Sequence, residues 1–182
     1  MNLDLTDPPR AVMDILTRAA NETKSPWRWP VLATQGGAYP GVRMLVVRAF
    51  HRATLEIELH TDARSAKLDE LRAAPACALL FFDKGSMVQF RVDGCARILD
   101  GEARDAAFSR APEGSLDDYR GRAPGGDPDT PASEPSLDAA ANFAAISIRL
   151  ERADLLVIAR DGHERRFVDF TADPPDWRRA EP

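Results

Sequence analysis

The chain has 182 residues, of which 44% are apolar and 7% aromatic, with a formal charge of −5. That is enough apolar material for one hydrophobic core and too little chain for a large multidomain assembly. With 24 Lys and Arg against 29 Asp and Glu, the chain lacks the basic excess that drives counterion release from a phosphate backbone, which argues against a nucleic-acid partner.

No apolar run approaches the length of a membrane span, and the opening MNLDLTDPPR is acidic before any apolar stretch. We therefore expect neither a spanning helix nor a signal peptide, and read the chain as cytoplasmic. Cys77 and Cys95 lie in separate strand-like segments without a CxxC spacing, the pattern of reduced core thiols rather than a disulfide framework or a zinc site. The 3 histidines are scattered, so no metal is expected.

In chain order, Thr6-Asp7-Pro8-Pro9 supplies a cap and first-turn prolines. Val12, Ile15, Leu16 and Ala19 then mark one buried face, which predicts an N-terminal helix. Strands are expected at Pro30–Gln35, Gly41–Phe50, Ala53–Thr61 and Ala76–Phe82, the first three close enough for antiparallel hairpins. A fifth, Ser86–Leu99, alternates Val88, Phe90 and Val92 with Gln89, Arg91 and Asp93. Two more are expected at Phe143–Ile158 and Glu164–Phe170. Helices are expected at Ala63–Ala74 and Gly101–Arg110, and the Pro-, Gly- and Asp-rich stretch 111–139 reads as a long flexible loop. The short spacing of strands and the lack of repeated strand–helix alternation predict a mainly β, α+β fold: an antiparallel split barrel with a few flanking helices, one domain spanning residues 1–182.

The segment His60-Thr61-Asp62-Ala63-Arg64-Ser65-Ala66-Lys67 runs from a strand into a helix, with Thr61 or Asp62 as cap. Arg64 and Lys67 fall in the first turn, where the helix dipole opposes cations, so a negative partner is expected nearby. Free N–H groups, the Ser65 hydroxyl and two cations suit a phosphate-sized anion; an exposed capped helix with solvated basic residues satisfies the same pattern. Arg43 and Arg48 interrupt an apolar strand and, five positions apart, fall on opposite faces unless a bulge intervenes. They serve either separate anionic groups, or an edge position and a salt bridge. Gln89 and Arg91 share the polar face of their strand, as a binding pair or as a cross-strand polar pair.

Taken together, RMLVVR (43–48), HTDARSAKLDEL (60–71), Pro75 and QFRVDGCARIL (89–99) resemble the pyridoxamine 5′-phosphate oxidase-like flavoproteins, with HERRF (163–167) and the end from Trp177 to Pro182 as weaker matches. The resemblance implies an FMN-binding split barrel, in a divergent bacterial branch, acting as a homodimer with the flavin at the interface. It implies FMN phosphate contacts from Arg43, Ser65 and Lys67, and ring contacts from Met44, Leu45, Val46, His60, Thr61, Gln89 and Arg166. Arg48, which replaces a usual lysine, and Arg110 stand at substrate positions; Arg110 also reads as an exposed helix-end residue.

The departures matter equally. Gly162 and Glu164 occupy the places of the family's Arg-x-His substrate clamp, and Leu155 or Leu156 replaces a tryptophan near the flavin. Pyridoxamine 5′-phosphate is therefore expected to be a poor substrate, Glu164 placing negative charge where a phosphate would sit. The resemblance implies an FMN-dependent oxidoreductase acting on an unassigned small molecule, or alternatively a flavin- or haem-binding module without turnover, for storage, sensing or stress protection. No catalytic side chain is assigned.

Overall fold

A computed structural model describes residues 5–125, 137–160 and 162–182. Helix α1 (Pro8–Asn21) begins as the sequence predicts, with the Asp7 carboxylate accepting the Arg10 N–H at 3.1 Å and prolines in the first turn. Its Val12, Ile15, Leu16 and Ala19 are fully buried, and the helix lies against the strand that follows Val46.

The strands are β1 (Val31–Thr34), β2 (Gly41–Met44), β3 (Val47–His51), β4 (Glu56–Asp62), β5 (Ala76–Asp83), β6 (Val88–Ile98), β7 (Phe143–Val157), β8 (Glu164–Asp169) and β9 (Asp176–Ala180). All pair antiparallel in one curled nine-stranded sheet of order β2-β1-β5-β6-β7-β4-β3, with β8 on β7 and β9 on β8. The split arises on β7. Its first half, from Phe143 to Arg149, pairs with β4, and its second half, from Arg152 to Val157, pairs with β8, while β6 runs along its other side.

The sheet curls where β6 and β7 lose register between Asp93 and Gly94. A Cβ on Gly94 would stand 2.3 Å from the Arg149 carbonyl oxygen, so only glycine admits this close approach. The core inside the curl holds Trp27, Leu32, Ile57, Leu59, Phe81, Phe90 and Leu155, with Phe81 and Phe90 stacked at 5.1 Å. At roughly 1.5–3 kcal/mol for each large apolar side chain taken out of water, this interior is what holds the sheet curled.

Four expectations are corrected. The strand expected over Gly41–Phe50 is two strands: Leu45 N–H bonds the Pro30 carbonyl and Val47 N–H the Arg28 carbonyl, so the chain leaves β1 and joins β4 at the opposite margin of the sheet. The closing segment, expected only as a terminal motif, forms β9, with Trp177 opposite Val168. Part of the expected loop is helical: helix α4 (Glu113–Leu116) and a 3-10 turn (Asp117–Tyr119) fold because Tyr119 packs edge-on against Phe143, with ring centroids at 5.3 Å; residues 126–136 of that stretch lie outside the described residues. Cys95 is exposed and only Cys77 is buried, where burial pushes its thiol up to about 12.

The remaining helices are α2 (Ala66–Ala73), α3 (Gly101–Ser109) and α5 (Ala139–Asn142). A second, smaller core gathers Leu99, Ala107, Tyr119, Ala139 and Ala145 around Phe143 under α3.

Candidate functional site

Three elements meet at one corner of the sheet: β2 brings Arg43, the end of β4 brings Thr61, and the start of α2 brings Ser65 and Lys67. Lys67 Nζ donates to Thr61 Oγ1 at 2.9 Å. Burial first, and then the neighbouring Arg43 guanidinium, pull the Lys67 ammonium below the usual lysine range, against smaller opposing effects of Asp62 and Glu70. Ser65 caps α2 through its extended backbone and is buried, but its hydroxyl makes no capping bond. The cap is thus Ser65 and not the expected Thr61 or Asp62.

Arg64 precedes the helix and does not belong to its first turn. Its guanidinium grips Asp62, at 2.9 and 2.6 Å, and also bonds the Gly121 carbonyl. Asp62 is held below the ordinary carboxylate range by these Arg64 bonds, which outweigh the burial that acts against it. Arg64 therefore fastens the chain around residue 121, and Lys67 is left as the cation of the helix start.

Arg43 is not a lone strand arginine. Its Nη1 donates to Thr34 Oγ1 and to the Gly41 carbonyl, and its Nη2 to Glu70 Oε2 at 2.8 Å. The Thr34 hydroxyl in turn bonds Glu70 Oε2 at 2.5 Å. Sequence reasoning missed both Thr34 and Glu70. The signal for Glu70 was its place three residues after Lys67, on the same side of α2; that for Thr34 emerges only when β1 and β2 pair.

The other expected residues scatter. Met44 is 61% exposed at the end of β2, and Leu45 and Val46 carry the chain across to β3. His60 turns away from Thr61 to the opposite face of β4, as alternation along a strand requires. There it stacks edge-on with Phe143 at 4.8 Å, and its Nε2 lies 2.9 Å from Glu58 Oε1, so only its main chain faces the Lys67 corner.

Arg48 is the extra residue of a bulge between Val47 and Ala49, and its Nε is buried without a hydrogen-bond partner among the described residues. Arg110, expected at a substrate position, instead ties the end of α3 to β4 through Glu58 at 2.8 Å. Burial raises the Glu58 carboxyl, but its bonds from His60 and Arg110 prevail and hold it at about 2. A cleft of about 510 Å³ opens beside this pair, lined among others by His51, Arg97, Arg110 and Ser147.

Gln89 and Arg166 lie far from Lys67. Thr61 pairs with Ala144, and Gln89 with Leu156. These two points on β7 are separated by a strand contour of roughly 40 Å. Among the described residues, no hydrogen bond or ion pair joins Gln89 or Arg166 to Lys67, Thr61 or Arg43.

The register further separates Gln89 from Arg166. Gln89, Leu156 and Arg165 stand in one cross-strand row, while Arg166 stands in the row of Phe90 and Leu155 and is buried toward the core. Arg165 grips Asp154 at 3.0 and 2.8 Å. Glu164 is paired with Arg166 at 2.8 Å, so the charge expected to repel a phosphate has a counter-ion of its own. Along this outer face run the exposed apolar residues Val42, Met44, Leu80 and Phe82. Farther along it, a cleft of about 430 Å³ is lined by Arg91, Asp154, Phe167 and Trp177, among others. Among the described residues, no group of three or more His, Cys, Asp and Glu is placed to hold a metal ion, and no helix is long and apolar enough to cross a membrane.

Comparison with known proteins agrees with this fold. Residues 11–100 match the family model described as pyridoxamine 5′-phosphate oxidase, FMN-binding domain. Pyridoxine/pyridoxamine 5′-phosphate oxidase 2 of Arabidopsis thaliana is 31% identical over 87 residues, which cover 47% of this chain and 44% of that protein; the chain thus spans less than half the length of this curated relative. Among solved structures, a pyridoxamine 5′-phosphate oxidase-related, FMN-binding protein of Nostoc punctiforme superposes with a TM-score of 0.78 at 21% identity, over 97% of this chain and 98% of that one. PhzG of Burkholderia lata, solved with tetrahydrophenazine-1-carboxylic acid, gives a TM-score of 0.71 at 14% identity, over 97% and 93%. At these identities the two structures show a shared split-barrel fold. Residues 11–100 are thus similar to the FMN-binding domain of the pyridoxamine 5′-phosphate oxidase family, and the fold is the split barrel of its solved relatives.

Proposed function

We propose that the chain, as one domain, is an FMN-binding flavoprotein that works in the cytoplasm as a homodimer and serves as an oxidoreductase for a small molecule. One observation carries the reading: Lys67, bonded to Thr61, lies in a half-buried corner close enough to the Arg43 guanidinium that its charge is disfavoured as it stands. Such a corner gains from an anion with oxygens to accept from both cations. A single terminal phosphate suits it, and the chain has no GxGxxG turn to cradle a pyrophosphate. The residues present therefore fit FMN.

When bound, FMN supplies hydride or electron transfer, and the chain supplies orientation and hydrogen bonds. In this reading Arg43, Ser65 and Lys67 hold the phosphate. The main chain of Met44 to Val46 and of His60-Thr61 lines the ring, and Gln89 offers the ring both a donor and an acceptor from the second copy. The distance between the Lys67 corner and Gln89 favours a two-fold dimer, because a two-fold contact across the Val42, Met44, Leu80 and Phe82 face exchanges the two ends of the sheet. Arg48, whose Nε has no hydrogen-bond partner among the described residues, is the substrate-side cation this arrangement leaves available.

The test is chemical. Purified protein is expected to be yellow, to release FMN on denaturation, and to scatter light as a dimer. FAD, haem or no chromophore after reconstitution overturns the cofactor, and a monomer that binds FMN tightly overturns the dimer. The absence of the substrate clamp at Gly162 and Glu164 favours a second reading, binding without turnover; anaerobic NADH or NADPH that fails to bleach the flavin band selects it.

A further inference from the structure

We propose that Glu70 is the positioning residue of the phosphate corner: it holds Arg43 by one edge of the guanidinium and leaves the other edge for a phosphate monoester. The inference rests on the phosphate-binding reading of Arg43 and Lys67.

The geometry is specific. Glu70 Oε2 accepts from Arg43 Nη2 at 2.8 Å and from Thr34 Oγ1 at 2.5 Å, while Arg43 Nη1 bonds Thr34 Oγ1 and the Gly41 carbonyl. These acceptors occupy the Nη1–Nη2 end of the fork. The Nε–H and the second Nη2 hydrogen, which form the side edge suited to two oxygens of one anion, have no acceptor among the described residues. The carboxylate is ionised, held below its usual range by the Thr34 hydroxyl first and by Arg43 after it, against burial.

The backbone is shaped around this pair. A Cβ on Gly41 would fall 2.4 Å from Arg43 Nη2 and 2.9 Å from Glu70 Oε2, and one on Gly36 would fall 3.1 Å from Glu70 Oε1. The β1–β2 hairpin thus uses its glycines to let the guanidinium and carboxylate lie against the main chain. The pair is only 23% and 21% exposed, so the orientation is enforced by packing as well as by charge.

Two consequences follow for binding. Removing Glu70 frees Arg43 to leave the position that presents its side edge. Keeping an acceptor there while removing the charge retains the position and strengthens the field of the two cations. These effects have opposite signs and separate positioning from mere proximity of charge. Neither touches a ligand that lacks the phosphate.

The experiment compares wild type, Glu70→Gln and Glu70→Ala for binding of FMN and of riboflavin by titration calorimetry at low ionic strength. Glu70→Gln is expected to tighten FMN about three- to tenfold, since a carboxylate next to the anion is neutralised. Glu70→Ala is expected to weaken FMN about tenfold, from loss of the oriented charge-assisted bonds. Riboflavin affinity should stay within about twofold across the three proteins, because no charge is involved. The inference is overturned if both variants move FMN in the same direction, if neither moves it, or if riboflavin moves with FMN.

Inorganic phosphate, followed by phosphorus NMR line broadening, separates the two levels. If wild type binds no FMN but phosphate affinity follows Gln above wild type above Ala, the flavin reading falls and the role of Glu70 stands. If FMN binds and that order is absent, the reverse holds. If neither FMN nor phosphate binds, both fall.

Discussion

Replacing Lys67 by methionine should weaken the holoprotein and leave the apoprotein as stable or more so. In the fold, burial and Arg43 lower the Lys67 pKa. A base with a depressed folded pKa is kept protonated at a cost at all pH values below that folded pKa, and the cost disappears as the pH rises through it toward the unfolded value. Methionine keeps most of the aliphatic stem and carries no charge. Apo Lys67→Met should therefore melt at or above wild type at neutral pH, and the gap should close as the pH climbs through the lowered lysine pKa.

Binding goes the other way. Loss of a charge-assisted bond to phosphate costs about 1.5–3 kcal/mol, a weakening of roughly 10- to 150-fold. With FMN a hundredfold above the wild-type Kd, bound ligand adds about 2.7 kcal/mol to wild type; at fiftyfold weaker binding the same concentration adds only about 0.6 kcal/mol. For a chain of this size the holo-minus-apo difference in Tm should fall from roughly 5–10 °C to about 1–3 °C. Thermal melts with and without FMN from pH 6 to 10, together with flavin fluorescence titration, read both effects. An unchanged FMN Kd, or an apo variant less stable by a margin that does not vary with pH, refutes the reasoning.

Mixed dimers of Lys67→Met and Gln89→Ala chains should regain FMN at about half the wild-type stoichiometry, one intact site per heterodimer; no recovery means that each site lies within one chain. Gly94→Ala should cost about 3 kcal/mol by urea denaturation, because its Cβ cannot stand 2.3 Å from the Arg149 carbonyl oxygen without a shift of β6 against β7; a variant as stable as wild type shows that the register adjusts freely. Glu58, held at about 2 against an ordinary 4.5, contributes stability that is complete above pH 4.5 and is lost as the pH falls through 2, on the order of 3 kcal/mol. Acid unfolding of Glu58→Gln should be flatter over that window, and an identical slope would assign the loss to other groups.

Most strands were legible because period-two alternation in segments such as Val88–Val92 records which face is buried, and that record is local. So were the start of α1, set by Asp7 and two prolines, and the placing of Lys67 on a helix start that opposes a cation. Other features depend on which strands become neighbours. The break at Leu45-Val46 is invisible in an unbroken apolar run, because it follows from β2 pairing with β1 while β3 pairs with β4. Strand β9 carries too many charges to read as β, and forms because β8 offers it an edge.

The same division runs through the site. Residue types told which side chains could bind an anion, and the resemblance told which ligand to expect. Only the pairing of β1 with β2 brought Thr34 and Glu70 to Arg43, only strand parity turned the His60 side chain to Phe143 and set Arg165 rather than Arg166 in the row of Gln89, and only the packing of α3 joined Arg110 to Glu58. Local sequence encodes propensity and face, since both act over a few residues. Partners distant in the chain, such as Thr34 and Glu70, are chosen by the cost of leaving polar groups buried and unpaired once the sheet has closed, and that cost exists only in the folded structure.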